Sequence, residues 1–132
     1  MITLDTSAVL TALNTSDADH HRVIDMIRRA RGPYVLPVAV LSELTFMIER
    51  DYGARRLEEF LTSIVQGQFV LDCGEHDIER ILELIRRYAD FPLGFADAAV
   101  VACAERNGGV VATLDYRHFG PIANEGTIKL AS

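Results

Sequence analysis

The chain is poor in cysteine, nearly without lysine and free of long apolar runs. Its two cysteines, Cys73 and Cys103, have no metal-ligand spacing, which argues against a disulfide scaffold and against a zinc–thiolate centre. Cys103 sits in an apolar stretch and reads as a small core residue. No apolar segment is long enough to span a bilayer. Asp5 interrupts the start, and no basic segment precedes an apolar one, so a signal peptide is not expected. The expectation is a reduced, cytoplasmic protein with no membrane contact. Lys129 is the only lysine, and 19 acids against 13 Lys and Arg leave a formal charge of −6. That excludes a generally basic nucleic-acid coat protein, because counterion release needs clustered positive charge. It leaves open an enzyme acting on nucleic acid, where bound cations offset part of the acid count. Repeats, low-complexity segments and linkers are absent as well. With 132 residues, 49% of them hydrophobic, residues 1–132 read as one domain with a substantial core.

Short apolar strands alternate with amphipathic helices. Strands are predicted at 1–4, 34–36, 69–71 and 110–113, with a short edge strand at 127–130. Helices are predicted over 8–13, 20–30, 38–51, a stretch from Leu57 ended by Gly67, about 75–88, and 94–107. The segment 89–93 reads as a loop, and 114–120 as another. The stripe Leu57, Phe60, Leu61, Ile64 and Val65 has helical spacing, and Ile78, Ile81, Leu82 and Ile85 mark the next helix. Such alternation implies a short, mainly parallel sheet with helices on both faces, an α/β fold built as a three-layer α/β/α sandwich.

Asp97 is the most informative residue. It lies in Phe95-Ala96-Asp97-Ala98-Ala99-Val100-Val101-Ala102-Cys103-Ala104, where every other side chain is apolar. An unpaired carboxylate in such a helix would protonate or cost several kcal/mol, roughly. Asp5 ends the first strand and Asp115 follows the fourth. Ligands of parallel sheets bind outside the carboxyl ends of the strands, so neighbouring strands would bring both acids to one rim. Glu43, early in the helix after the second strand, borders its apolar face and reads as pointing along the core boundary. Four such carboxylates repel by about 4 kcal/mol per pair at ~4 Å and an effective dielectric of about 20. Mg²⁺ or Mn²⁺ would relieve this, being selected by hard oxygen donors. Hydrolytic chemistry on a phosphodiester then follows, with Thr6, Ser7 and Thr113 orienting acids or water. Tyr116, Arg117 and His118 are candidates for nucleic-acid contact through stacking and charge, although an exposed loop explains them equally. His20-His21 reads as a solvated helix start.

At these residues the chain resembles the PIN-domain ribonucleases, specifically the toxins of VapBC-type toxin–antitoxin pairs. The resemblance rests on Ile2-Thr3-Leu4-Asp5-Thr6-Ser7-Ala8-Val9-Leu10 and Ser42-Glu43-Leu44. It continues through Tyr88-Ala89-Asp90-Phe91-Pro92-Leu93-Gly94-Phe95-Ala96-Asp97-Ala98 and ends on Ala112-Thr113-Leu114-Asp115-Tyr116-Arg117-His118-Phe119. It implies a Mg²⁺- or Mn²⁺-dependent endoribonuclease whose acidic quartet is Asp5, Glu43, Asp97 and Asp115. Thr6 and Thr113 match accompanying hydroxyl positions, and Asp90 matches a further acid frequent in such toxins. A cognate antitoxin and a homodimer are implied as partners.

Taken singly, each acid has an ordinary reading: Asp5 and Asp115 as turn or capping residues, Asp97 as a helix-start acid, Glu43 as a solvated one. Three rival functions stand beside the nuclease. A receiver-type phosphoacceptor domain would need adjacent acids after the first strand, where Thr6 follows Asp5, and a phosphoacceptor acid after the third; no acid directly follows Tyr34-Val35-Leu36. An aspartyl phosphatase would need an acid where Ser7 stands. A catalytically silent PIN-like binding module would be favoured by loss of a quartet member, and none is lost.

Overall fold

The computed structural model describes all residues, 1–132. Five strands form one sheet: β1 (Ile2–Leu4), β2 (Tyr34–Pro37), β3 (Val70–Asp72), β4 (Val110–Ala112) and β5 (Lys129–Leu130). Their order is β3-β2-β1-β4-β5, and every pairing is parallel. β1 is central, with Thr3 in register with Val35 on one side and Val111 on the other. All three of its residues, Thr3 included, are buried, as befits a central parallel strand covered on both faces.

Seven α-helices join the strands: α1 (Thr6–Leu13), α2 (His20–Ala30), α3 (Leu41–Tyr52), α4 (Ala54–Val65), α5 (Ile78–Arg87), α6 (Phe95–Arg106) and α7 (Tyr116–Asn124). From β1 the chain winds outward to β2 and β3, then returns to lay β4 on the other flank of β1. Right-handed crossovers running in opposite directions put their helices on opposite faces, giving the three layers. The same reversal opens a crevice at the carboxyl ends of β1 and β4. α6 packs on β1, β2 and β4. Its seven consecutive residues Ala98 to Ala104 are all buried, and small side chains let it lie close to the sheet. Ile2, Leu4, Leu36, Leu44, Ile48, Val100 and Phe119 are among the fully buried core.

Several boundaries differ from the sequence reading. The segment 114–120, predicted as a loop, contains the start of α7. Gly120 and Pro121 mask that helix in the sequence, but Pro121 lies inside it and removes only one backbone donor. Asp115 caps the helix by accepting from the His118 backbone N–H at 3.2 Å. Val38–Val40 forms a separate 3₁₀ turn ahead of α3. α1 starts at Thr6, two residues before the predicted 8–13, with Asp5 at its N-cap. In α5, only Ile81 of the predicted apolar stripe is buried, joined by Leu84, while Ile78, Leu82 and Ile85 are exposed. β3 is an edge strand with Val70 and Leu71 both exposed.

One ion-pair network ties this edge to the core. Arg106, at the end of α6, bonds Asp72 at the end of β3 (2.6 Å) and Asp77 ahead of α5 (2.6 and 2.7 Å). Asn107 adds a bond to Asp72 at 3.1 Å. The Asp77 side chain is only 8% exposed, so it depends on this partner. Arg106 is the larger cause holding the Asp72 carboxyl below its ordinary 3.8. The stability from Asp72 is therefore fully present above pH 3.8 and lost as pH falls through the lower folded value. Arg106→Ala is expected to destabilise the fold by about 2 kcal/mol, a buried-pair value discounted for the half-exposed guanidinium. A shift of the urea midpoint at unchanged slope measures it.

Candidate active site

Four acids from four parts of the chain line one cleft of about 220 Å³. Asp5, Glu43, Asp97 and Asp115 share it with Thr6, Ser7, Leu10, Met47 and Ala96. Each acid stands at the start of a different helix. Asp5 and Asp115 are the N-cap residues of α1 and α7, and Glu43 and Asp97 lie in the first turns of α3 and α6. Strands that run parallel deliver the helices after β1, β2 and β4 (α1, α3 and α7) to the same rim, and α6, which follows α5, brings Asp97 to it as well. Each helix N-terminus carries roughly +0.5 charge. Each stabilises a nearby anion by up to about 1 kcal/mol, which eases the mutual repulsion of the four carboxylates without cancelling it and leaves room for a divalent ion.

Hydroxyl groups fix the floor of the cleft. The Thr113 hydroxyl donates to Asp5 Oδ2 at 2.8 Å, and the Ser7 hydroxyl donates to the same oxygen at 2.9 Å. Each hydroxyl has one hydrogen, and both are spent on Asp5, so the 3.2 Å Ser7–Thr113 contact carries no further hydrogen bond. Their lone pairs accept from the next backbone: Leu114 N–H to Ser7 at 3.0 Å, and Asp115 N–H to Thr113 at 2.9 Å. This lattice ties the end of β1 to the end of β4 and holds Asp5, which is buried together with Thr113. Thr6 lines the cleft from the first turn of α1.

Asp97 is half-buried. Burial pushes its carboxyl up to about 6, reinforced by the charges of Asp5, Asp115 and Glu43 and opposed by His118. Asp97, Asp115 and His118 can present donor atoms all within 4.8 Å of one another. Two hard carboxylates with an imidazole beside them, ringed by two more acids, fit a magnesium- or manganese-like ion.

The structure brings all four acids of the quartet together, with Thr6, Ser7 and Thr113 among them. Glu43 is exposed at the cleft wall rather than turned along the core boundary. Asp90 is not in the cleft; it is exposed in the turn between α5 and α6. Tyr116 and Arg117 are exposed on the first turn of α7, and the Tyr116 hydroxyl accepts from Arg22 at 3.0 Å. Two residues here were not singled out as part of the acidic centre. Met47 walls the cleft one turn after Glu43, a position its i+4 spacing marks. His118 binds Asp115, and the i, i+3 spacing from a cap residue is the signal for it.

A PIN domain family model matches residues 2–123. Ribonuclease VapC26 of Mycobacterium tuberculosis is 31% identical over 121 residues, covering 90% of each chain. Among solved structures, M. tuberculosis VapC20, described as a sarcin–ricin-loop-cleaving toxin, superposes with a TM-score of 0.78 over the full length of both chains at 20% identity. VapBC2 from Rickettsia felis, bound to a promoter DNA fragment, gives a TM-score of 0.73 at 16% identity, covering 98% of this chain and 97% of that one. At such identities these two structures speak to the fold.

Because Asp97 ionises near 6 rather than at the ordinary 3.8, its charge opposes folding of the metal-free protein. That cost is absent below 3.8, where the carboxyl is protonated in both states, and complete above about 6. Asp97→Asn is therefore expected to raise the melting temperature in chelator at neutral pH, with the gain fading as pH falls towards 4. Mn²⁺ should raise the wild-type melting temperature and leave the variant's nearly unchanged. Thermal denaturation across pH, with and without the ion, checks both.

Proposed function

The chain belongs to the PIN-domain family, as a VapC-type member, and from that premise we propose that it is a metal-dependent endoribonuclease toxin restrained by a cognate antitoxin. The observation that carries the reading is the meeting of Asp5, Glu43, Asp97 and Asp115 in one cleft at the β1–β4 crevice. These residues would hold Mg²⁺ or Mn²⁺. A divalent ion there supplies Lewis acidity toward water and phosphate.

The protein's own groups do the rest. Asp5, fixed by two hydroxyl donors, and Asp115, fixed by His118, present carboxylate oxygens without reorganising during reaction. Asp97, whose carboxyl sits near 6 in the metal-free protein, is the acid most responsive to a cation. Glu43, exposed on the cleft wall, is placed to accept a proton from attacking water. The open cleft admits a phosphodiester backbone, whose charge the acids alone would repel. Tyr116, next after Asp115, offers a stacking face and Arg117, one residue further, a cation, both suited to single-stranded RNA. Asp90, outside the cleft, is a candidate for partner or substrate contact rather than for chemistry.

A homodimer is part of this reading. Ile78, Leu82 and Ile85 form an exposed stripe along α5. Glu79 and Arg86 flank it on one side and join no intramolecular salt bridge, which suits antiparallel pairing with a second copy.

Purified protein is expected to cleave RNA with Mg²⁺ or Mn²⁺ and to stop in excess chelator. Asp5→Ala and Asp97→Asn should each lose at least about 100-fold in rate, since removing even an outer partner of a metal ligand costs 10–100-fold. Cleavage that persists in chelator, or variants as active as wild type, would reject the assignment. Binding of RNA without cleavage would instead favour the silent binding module.

A further inference from the structure

Both carboxylate oxygens of Asp115 are bonded by a single residue. The His118 backbone N–H donates to Oδ1 at 3.2 Å, and His118 Nδ1 lies 2.8 Å from Oδ2. An ionised carboxylate only accepts, so the imidazole carries its hydrogen on Nδ1 and donates. The two bonds close on one carboxylate from one side and remove its freedom to rotate. Each oxygen keeps a further lone pair for an ion.

The imidazole is itself held from behind. The Phe91 ring lies 5.5 Å from it, inclined at 47°, and Phe91 packs in turn on Tyr88 at 6.2 Å. Tyr88 is buried, and Phe91 and His118 are half-buried. An aromatic strut thus runs from the end of α5, through the connecting turn, to α7, and ends on Asp115. It gives Phe91, rather than its neighbour Asp90, the structural link to the cleft.

We propose that His118 is a positioning residue of the metal centre, gripping both oxygens of Asp115 so that this carboxylate is preset for a divalent ion. The inference rests on the metal-dependent reading above and goes beyond the acidic quartet. His118 also lies within reach of Asp97, so direct ligation by its ring is the competing arrangement. Commitment of Nδ1 to Asp115 leaves Nε2 as the one ring atom free to ligate, and the contacts present are the two bonds to Asp115, which are those of a positioning residue. Ligating carboxylates are commonly held by an outer hydrogen-bond donor, and losing such a donor lowers metal affinity by about 10–100-fold.

The test is calorimetric titration of Mn²⁺ into the metal-free full chain. His118→Leu keeps bulk against Phe91 but has no donor, and His118→Gln moves the donor outward to the Nε2 position. Each is expected to weaken Mn²⁺ binding about tenfold. His118→Asn places its amide donor where Nδ1 was and should bind within about twofold of wild type, well short of that loss. In an Asp115→Asn background, His118→Leu should add no further loss. A merely structural role would not give rescue by Asn or dependence on Asp115. Unchanged affinity in His118→Leu and His118→Gln, or equal losses with and without Asp115, would overturn the proposal. So would nitrogen hyperfine coupling to Mn²⁺ in wild type that vanishes in His118→Gln, since that makes the ring a ligand. Those outcomes leave the metal site standing, whereas a wild type that takes up no Mn²⁺ would overturn the metal-dependent reading and this inference with it.

Discussion

Like-charge repulsion at one end of a parallel sheet is the constraint around which this protein is built. Four carboxylates crowd a cleft of about 220 Å³ with no lysine or arginine among its lining residues. Water alone would not make this cheap, because Asp5 is buried and Asp97 partly so. The fold answers with dipoles. Every strand of the site hands the chain to a helix whose first turn faces the rim, and the exposed backbone N–H groups there favour anions. What remains is a deficit suited to a dication.

Compensation is uneven, and the unevenness distinguishes the acids. Asp5 is bonded by two hydroxyls. Asp115 is bonded through both oxygens by His118. Asp97 instead meets burial and three neighbouring acids, and its carboxyl rises to about 6. The site is therefore rigid at its two strand ends and electrostatically strained on α6. A cation bound as proposed would gain most at the strained residue and would find the other two already aimed, their hydrogen bonds being formed by the folding of the sheet.

The β3 edge of the sheet follows different physics. There Arg106 is bonded to Asp72 and Asp77, so the same residue types form closed ion pairs. The difference between a structural acid and a site acid in this chain is whether a guanidinium reaches it. Asp72 also lies at a strand end, and strand-end position alone would have made it a candidate. Its partner comes from a residue 34 positions away, a relationship no local pattern carries.

Alternation of short apolar strands with amphipathic helices was enough to determine the α/β class, because periodicity and burial are local properties. The charge anomaly of Asp97 was equally plain, since one acid in an apolar helix stands out against its immediate neighbours. Strand-end positions marked Asp5 and Asp115 for the same reason. The α7 helix was hidden because Gly120 and Pro121 are local breakers, overruled by the Asp115 cap and by burial of Phe119 and Ile122. Tertiary structure alone decided the strand order that makes β1 and β4 neighbours, and with it the meeting of Thr113, Ser7 and Asp5. It also decided that Phe91 rather than Asp90 packs behind His118, and that α5 buries Ile81 and Leu84 while exposing Ile78, Leu82 and Ile85. Those outcomes depend on which surfaces meet across long sequence separations, and a side chain's partner across such a distance is set by packing of the whole chain.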